Sequence, residues 1–120
     1  MADQRKIGIE GEDLAADYLA NKGYILMERN WHYKHKEVDI IARNNKYLVF
    51  VEIKSRKADY IVSPLDSVTM KKQRFIIEAA NAYIEKYNID IEVRFDIITI
   101  IYSPKITIEH IENAFYPKVR

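Results

Sequence analysis

Apolar positions recur along the chain in two rhythms, and their order predicts the elements. Ile7, Leu14, Ala15, Tyr18 and Leu19 share one face at helical spacing. Gly23, after Asn21-Lys22, reads as a left-handed helix stop. Tyr24 to Trp31 then reads as a strand, with a second from about Glu37 to Ala42 and a third from Tyr47 to Lys54. Asn44-Asn45 tolerates positive φ, so the second and third strands form a hairpin in which Arg43 faces Lys46 and Asp39 comes opposite about Phe50. Leu48-Val49-Phe50-Val51 is a continuous apolar run, as a strand buried on both faces requires. The pattern breaks into a loop from Ser55 to Tyr60. Thr69 then caps a helix to about Tyr87, with Ile76, Ala79, Ala80, Tyr83, Ile84 and Tyr87 on one stripe. Arg94 to Tyr102 is strand-like, Pro104 marks a turn, and Ile106-Thr107-Ile108 makes a last strand. Helix, three strands, helix, two strands predicts one α/β domain over 1–120, a mixed sheet flanked by helices.

Composition narrows the class. With 120 residues, 48% hydrophobic and 31% charged, the chain can bury a core and keep a solvated surface. No apolar run approaches the ~18 residues of a membrane span, and Met1 to Lys6 leads into a polar helical pattern with no apolar signal core. A cytoplasmic location with no membrane partner is the expectation. There is no cysteine, which excludes a disulfide scaffold, a thiolate nucleophile and a Cys-ligated metal. Net charge is only +1, but it is unevenly spread. Between Trp31 and Arg74 stand ten Lys/Arg against five acids, a local +5. Folded onto one face, that segment attracts a polyanion; scattered, it is an ordinary solvated surface.

The chemistry concentrates in Glu37-Val38-Asp39-Ile40-Ile41 and Val51-Glu52-Ile53-Lys54-Ser55. Strand alternation points Glu52 and Lys54 the same way, and the hairpin sets Asp39 diagonal to Glu52. Neighbouring carboxylates repel unless a cation intervenes, and Mg²⁺ or Mn²⁺ is the usual hard partner. The carbonyl of Ile53 is a further candidate oxygen. Lys54 then stands where an ammonium orients a water or stabilises charge on a phosphate. The competing reading is an ordinary cross-strand ion-pair network of Asp39, Glu52 and Lys54 on a solvated face; Glu37 is either a further acid behind Asp39 or a salt-bridge partner of Lys54 or Arg56.

Asp39 followed thirteen residues on by Glu52-Ile53-Lys54 resembles the signature of the PD-(D/E)XK nuclease superfamily. The chain is more closely similar to the bacterial YraN family, relatives of archaeal Holliday-junction resolvases. Gly8-Ile9-Glu10-Gly11-Glu12, Lys22-Gly23-Tyr24, Phe50-Val51-Glu52-Ile53-Lys54-Ser55-Arg56, Lys72-Gln73, Arg94-Phe95-Asp96 and Asn113-Ala114-Phe115 carry that resemblance. It implies a restriction-endonuclease-like core with a mixed five-stranded sheet, and metal-dependent phosphodiester cleavage. By matching positions it implies Glu12, Asp39 and Glu52 as metal ligands and Lys54 as the catalytic lysine. Lys36 and Val62 stand where the family usually has glycine, which bears on loop shape and substrate choice.

Around that centre, Arg56, Lys57, Lys72 and Gln73 are the candidate nucleic-acid contacts, with a solvated basic turn as the alternative for the last two. His32, His35 and His110 show no metal-ligand spacing, and a lone histidine is ordinarily a surface group or a satisfied partner. Trp31, Tyr33 and Tyr60 either stack on unpaired bases or close the core. The sequence thus predicts a metal-dependent endonuclease acting on branched or flexible DNA. A catalytically degenerate nucleic-acid-binding module and a subunit docking an acidic protein are the alternatives. So small a chain offers two strands little surface, for which a symmetric homodimer is one remedy; the sequence leaves the oligomeric state open.

Overall fold

The structure is a computed structural model that describes residues 4–57 and 68–117, with side chains from residue 11 onward along the first helix. Its elements are α1 (Gln4–Asn21), β1 (Ile25–Tyr33), β2 (Lys36–Arg43), β3 (Tyr47–Arg56), α2 (Met70–Tyr87), β4 (Glu92–Ile101) and β5 (Thr107–Phe115). The strands form one five-stranded sheet in the order β1-β2-β3-β4-β5. All neighbours are antiparallel except β3 and β4, which run parallel because α2 carries the chain across. This is the expected α/β mixed sheet with two helices, the general form of a restriction-endonuclease-like core.

The two helices cover opposite faces. Ala15, Ala16 and Leu19 of α1 pack with Ile40, Ala42, Val49, Val51, Ile98 and Ile100. Ile76, Ala79, Ala80 and Tyr83 of α2 pack with Val38, Ile41, Leu48, Phe50, Phe95, Ile97 and Phe115. The apolar run at Leu48–Val51 is therefore central and doubly buried, as its composition requires. Trp31 meets Tyr83 edge-on at 5.2 Å and Tyr33 packs against the same core, so both close it. Tyr87, at the end of the α2 stripe, is 47% exposed, its ring tilted against Tyr83 and overlain by Lys86. Gly23 has φ +94, and the amides of Gly23 and Tyr24 return to the carbonyls of Ala20 and Leu19 at 3.0 Å. Thr69 caps α2 as expected, accepting from the Lys72 N–H at 3.1 Å.

Several expectations are corrected. The β2–β3 register pairs Arg43 with Leu48 and Ile41 with Phe50, two residues beyond the tight turn expected at Asn44-Asn45. The cause is Asn44, whose Oδ1 accepts from the amides of Lys46 at 2.9 Å and Tyr47 at 2.8 Å, so its side chain builds a longer turn. β3 runs on through Ser55 and Arg56 where a loop was expected, because β4 continues beside them. β5 extends to Phe115, well past Ile108. The positions of Tyr60 and Val62 and the side chain of Ile7 lie outside the described residues.

Candidate metal and nucleic-acid site

The site begins where β2 leaves β3. Their pairing ends at Ile40 with Val51, one residue short of Asp39 and of Glu52. Alternation also breaks here. Val38 and Ile41 join the α2-side core while Ile40 and Ala42 join the α1-side core, so Asp39 sits at an irregularity of β2. On β1, Asn30 is the facing residue in the register that runs from Arg29 to Trp31, and its φ of 51 is left-handed. The kink lets the Asp39 carboxylate reach β3, where Oδ2 accepts from the Ile53 N–H at 2.8 Å.

Glu52 is 5% exposed, and its Oε2 lacks a hydrogen-bond partner among the described residues. Its Oε1 lies 3.9 Å from Nζ of Lys72, in the first turn of α2. Burial pushes the Asp39 carboxyl up to about 6; the Ile53 N–H opposes that rise, and the charges of Glu12 and Glu37 add to it. Burial and then the charge of Asp39 push Glu52 up to about 7, against the pull of Lys72 and Lys54. Half-buried Asp39 and buried Glu52 thus set two carboxylates near each other, with one Glu52 oxygen lacking a hydrogen-bond partner among the described residues.

Glu12, the expected third acid, is held from outside the pair. Its Oε2 accepts from Nδ2 of Asn30 at 3.3 Å and lies 3.9 Å from Nη2 of Arg29, which pairs with Asp13 at 2.8 Å. Among the described residues no three acidic or histidine side chains stand close enough to share one ion. Gly11 sets the approach of α1, since a Cβ there would collide with Oγ of Ser55 and stand 3.3 Å from the Tyr102 hydroxyl. Glu12 rides on that contact.

Lys54 is half-buried two residues after Glu52 on the same strand, close enough for its charge to act on that acid. Arg56 ends β3, its carbonyl accepting from the Tyr102 N–H at 2.9 Å, and Lys57 follows it exposed. Gln73 spends its amide on the Val68 carbonyl at 3.0 Å, fastening the entry to α2. Glu37 faces His32 across β1 at 3.9 Å, where a bridge to Lys54 or Arg56 was expected; register decides this, because His32 and Glu37 are cross-strand partners.

The family model for Uncharacterised protein family UPF0102 matches residues 11–100, which span α1 to β4. The chain is 48% identical over 120 residues to a UPF0102 protein of Phocaeicola vulgatus, covering 99% of each. It is 47% identical over 121 residues to one of Parabacteroides distasonis, covering all of both. One of Flavobacterium psychrophilum is 41% identical over 117 residues, covering 97% of this chain and 98% of that one.

The chain belongs to the UPF0102 family.

That membership bears out the resemblance to the YraN family read from the residues. This UPF0102 protein also holds groups its sequence did not advertise. Asn30 and Arg29 were missed, because a polar pair inside a strand reads as surface; an asparagine's tolerance of left-handed backbone was the available signal. A second polar network lies under α1. Asp96, fully buried, accepts from Nε and Nη2 of Arg94 at 2.9 Å each and from the Asn113 N–H at 3.0 Å, and pairs with Nε2 of His110 at 2.7 Å. His110 Nδ1 meets the Tyr18 hydroxyl at 3.1 Å, and Arg94 donates to the Tyr24 hydroxyl. Burial alone would raise the Asp96 carboxyl, but His110, Arg94 and Asn113 together hold it below the ordinary carboxylate value. In this UPF0102 chain His110 is the satisfied partner expected of a lone histidine, tying β5 to β4 and α1.

Proposed function

We propose that this protein is a metal-dependent endonuclease acting on branched or flexible DNA, with Mg²⁺ or Mn²⁺ as its cofactor. The observation that carries the reading is the half-buried Asp39 carboxylate beside buried Glu52, whose Oε2 lacks a hydrogen-bond partner among the described residues. Two hard carboxylate donors with one unfilled oxygen fit a divalent cation. Asp39 and Glu52 would hold it, and Glu12, turned by Asn30, would add its charge from the α1 side. When bound, such an ion screens the charge of a scissile phosphate and acidifies water.

The chain's own groups do the rest. The Ile53 N–H keeps the Asp39 carboxylate aimed at β3. Lys54, beside Glu52, orients the attacking water and opposes charge building on the phosphate. Arg56, Lys57 and Lys72 supply phosphate contacts around the rim, and Gln73 steadies the first turn that carries Lys72. A cytoplasmic location and a symmetric homodimer, giving two strands a larger footprint, belong to the same reading. No helix among the described residues is long and apolar enough to cross a membrane.

The second reading is a nucleic-acid-binding module with a degenerate site. It is favoured by one observation, that no third acid among the described residues shares the reach of Asp39 and Glu52. Calorimetry with Mn²⁺, run beside cleavage of four-way junctions, flaps and single strands, separates the two. Binding with cutting supports the enzyme, and binding of Mn²⁺ and DNA without cutting supports the module. A wild type that takes up no Mn²⁺ at millimolar concentration, even with DNA present, sinks the metal site.

A further inference from the structure

Lys72 occupies an electrostatically awkward place. It lies in the first turn of α2, next to Lys71, with no acid in that turn. The N-terminal end of a helix is its positive end, so cations there are disfavoured unless an anion answers them. The anion is at hand: Nζ of Lys72 lies 3.9 Å from Oε1 of Glu52, and among the described residues this is the one ion pair Glu52 makes. The backbone of Lys72 is fixed by Thr69, yet its side chain is 39% exposed and spans the boundary between the buried acids and solvent. Its long flexible stem permits the ammonium to swing without moving the helix.

The geometry points to Lys72 as the built-in counter-cation of the Asp39–Glu52 pair, displaced when a divalent ion enters and turned outward to a DNA phosphate. This rests on the metal-site reading above and adds its regulation. Lys72 and the ion compete for the same carboxylates, so the empty site is guarded by a weak internal cation. Once DNA takes up the ammonium, that competition falls. Linkage then requires the reciprocal effect: DNA tightens the ion, and the ion tightens DNA.

The test titrates wild type, Lys72→Met and Lys72→Arg with Mn²⁺ by calorimetry at pH 8, each with and without a saturating short DNA duplex. Cooperative melting of each variant checks that it is folded. Removing the competing charge is expected to tighten Mn²⁺ about three- to tenfold in Lys72→Met without DNA. Wild type should gain affinity when DNA is added, Lys72→Met should gain far less, and Lys72→Arg should follow wild type. Mn²⁺ bound by Lys72→Met alone, and not by wild type, also supports the inference. Equal or weaker Mn²⁺ binding in Lys72→Met, with wild type binding normally, overturns the inference and leaves the metal site standing. Failure of all three proteins to bind Mn²⁺ overturns both.

Discussion

The Ile53 N–H donates to Oδ2 of Asp39 at 2.8 Å, in the place where an unbroken hairpin would bring the Val38 carbonyl. Asp39 therefore serves the fold as well as the candidate site, and substitutions should separate the two duties. Asp39→Asn keeps an acceptor for Ile53 and removes a charge that burial disfavours, so it should fold and lose Mn²⁺ binding. Asp39→Ala strands the amide, costing about 1–3 kcal/mol of stability in denaturant titrations. Equal stability of the two variants would mean the hydrogen bond does not matter.

The same pair sets a pH dependence. Asp39 and Glu52 have folded values raised to about 6 and about 7 from ordinary values of 3.8 and 4.5. The folded state then binds protons that the unfolded state has released. Their contribution to stability is complete below the unfolded values and is lost as pH rises through 6 and 7. Metal-free protein should lose up to ~1.4 kcal/mol per pH unit for each group across that window. Asp39→Asn should flatten the slope, and millimolar Mn²⁺ should reverse the loss at pH 8. A metal-free stability that holds level from pH 5 to 8 would contradict the burial of the pair.

Lys54 is assigned to water and phosphate, not to the ion. Lys54→Ala should keep Mn²⁺ affinity, or raise it slightly with a nearby positive charge gone, while cleavage falls ~10²–10³-fold. Loss of Mn²⁺ binding in that variant would make the lysine part of the cation site's scaffold instead.

Arg56 and Lys57 lie at the end of β3, beside the candidate site. Changing both to Ala should weaken DNA binding across sequences and reduce the slope of log affinity against log salt by ~0.9 for each phosphate no longer neutralised. An unchanged slope removes this rim from the interface.

The Asp96 network makes the opposite prediction, since it touches neither Asp39 nor Glu52. Asp96→Ala leaves the Arg94 charge short of its buried partner and should cost about 3–5 kcal/mol. His110→Phe should cost less. Mn²⁺ affinity of folded His110→Phe should match wild type; a large loss would place this network in the chemistry.

The helices, the central strand and the acidic spacing were legible because each carries a repeating apolar rhythm or a fixed interval along the chain. The register of the hairpin was not, because a single side chain, Asn44, lengthened the turn and shifted the pairing by two residues. The far end of β5 was also illegible: Glu109 to Asn113 is polar apart from Ile111, as an edge strand tolerates, and its tethers are the buried His110 side chain and the Asn113 N–H, both on Asp96. The contact between Lys72 and Glu52 joins the first turn of the crossover helix to a strand residue twenty positions earlier, so no local pattern announces it.

That crossover has a consequence for the order of assembly. Asp39 and Glu52 meet through a hairpin, whose ends lie close in the chain, whereas β4 must wait for α2 to carry it into parallel register. While the hairpin stands alone, its acids are wet and their repulsion is small. α2 packs on one face of that sheet, and the same element delivers Lys72 to Glu52. Part of the cover over Glu52 and a charge that answers it therefore reach the site on one piece of chain.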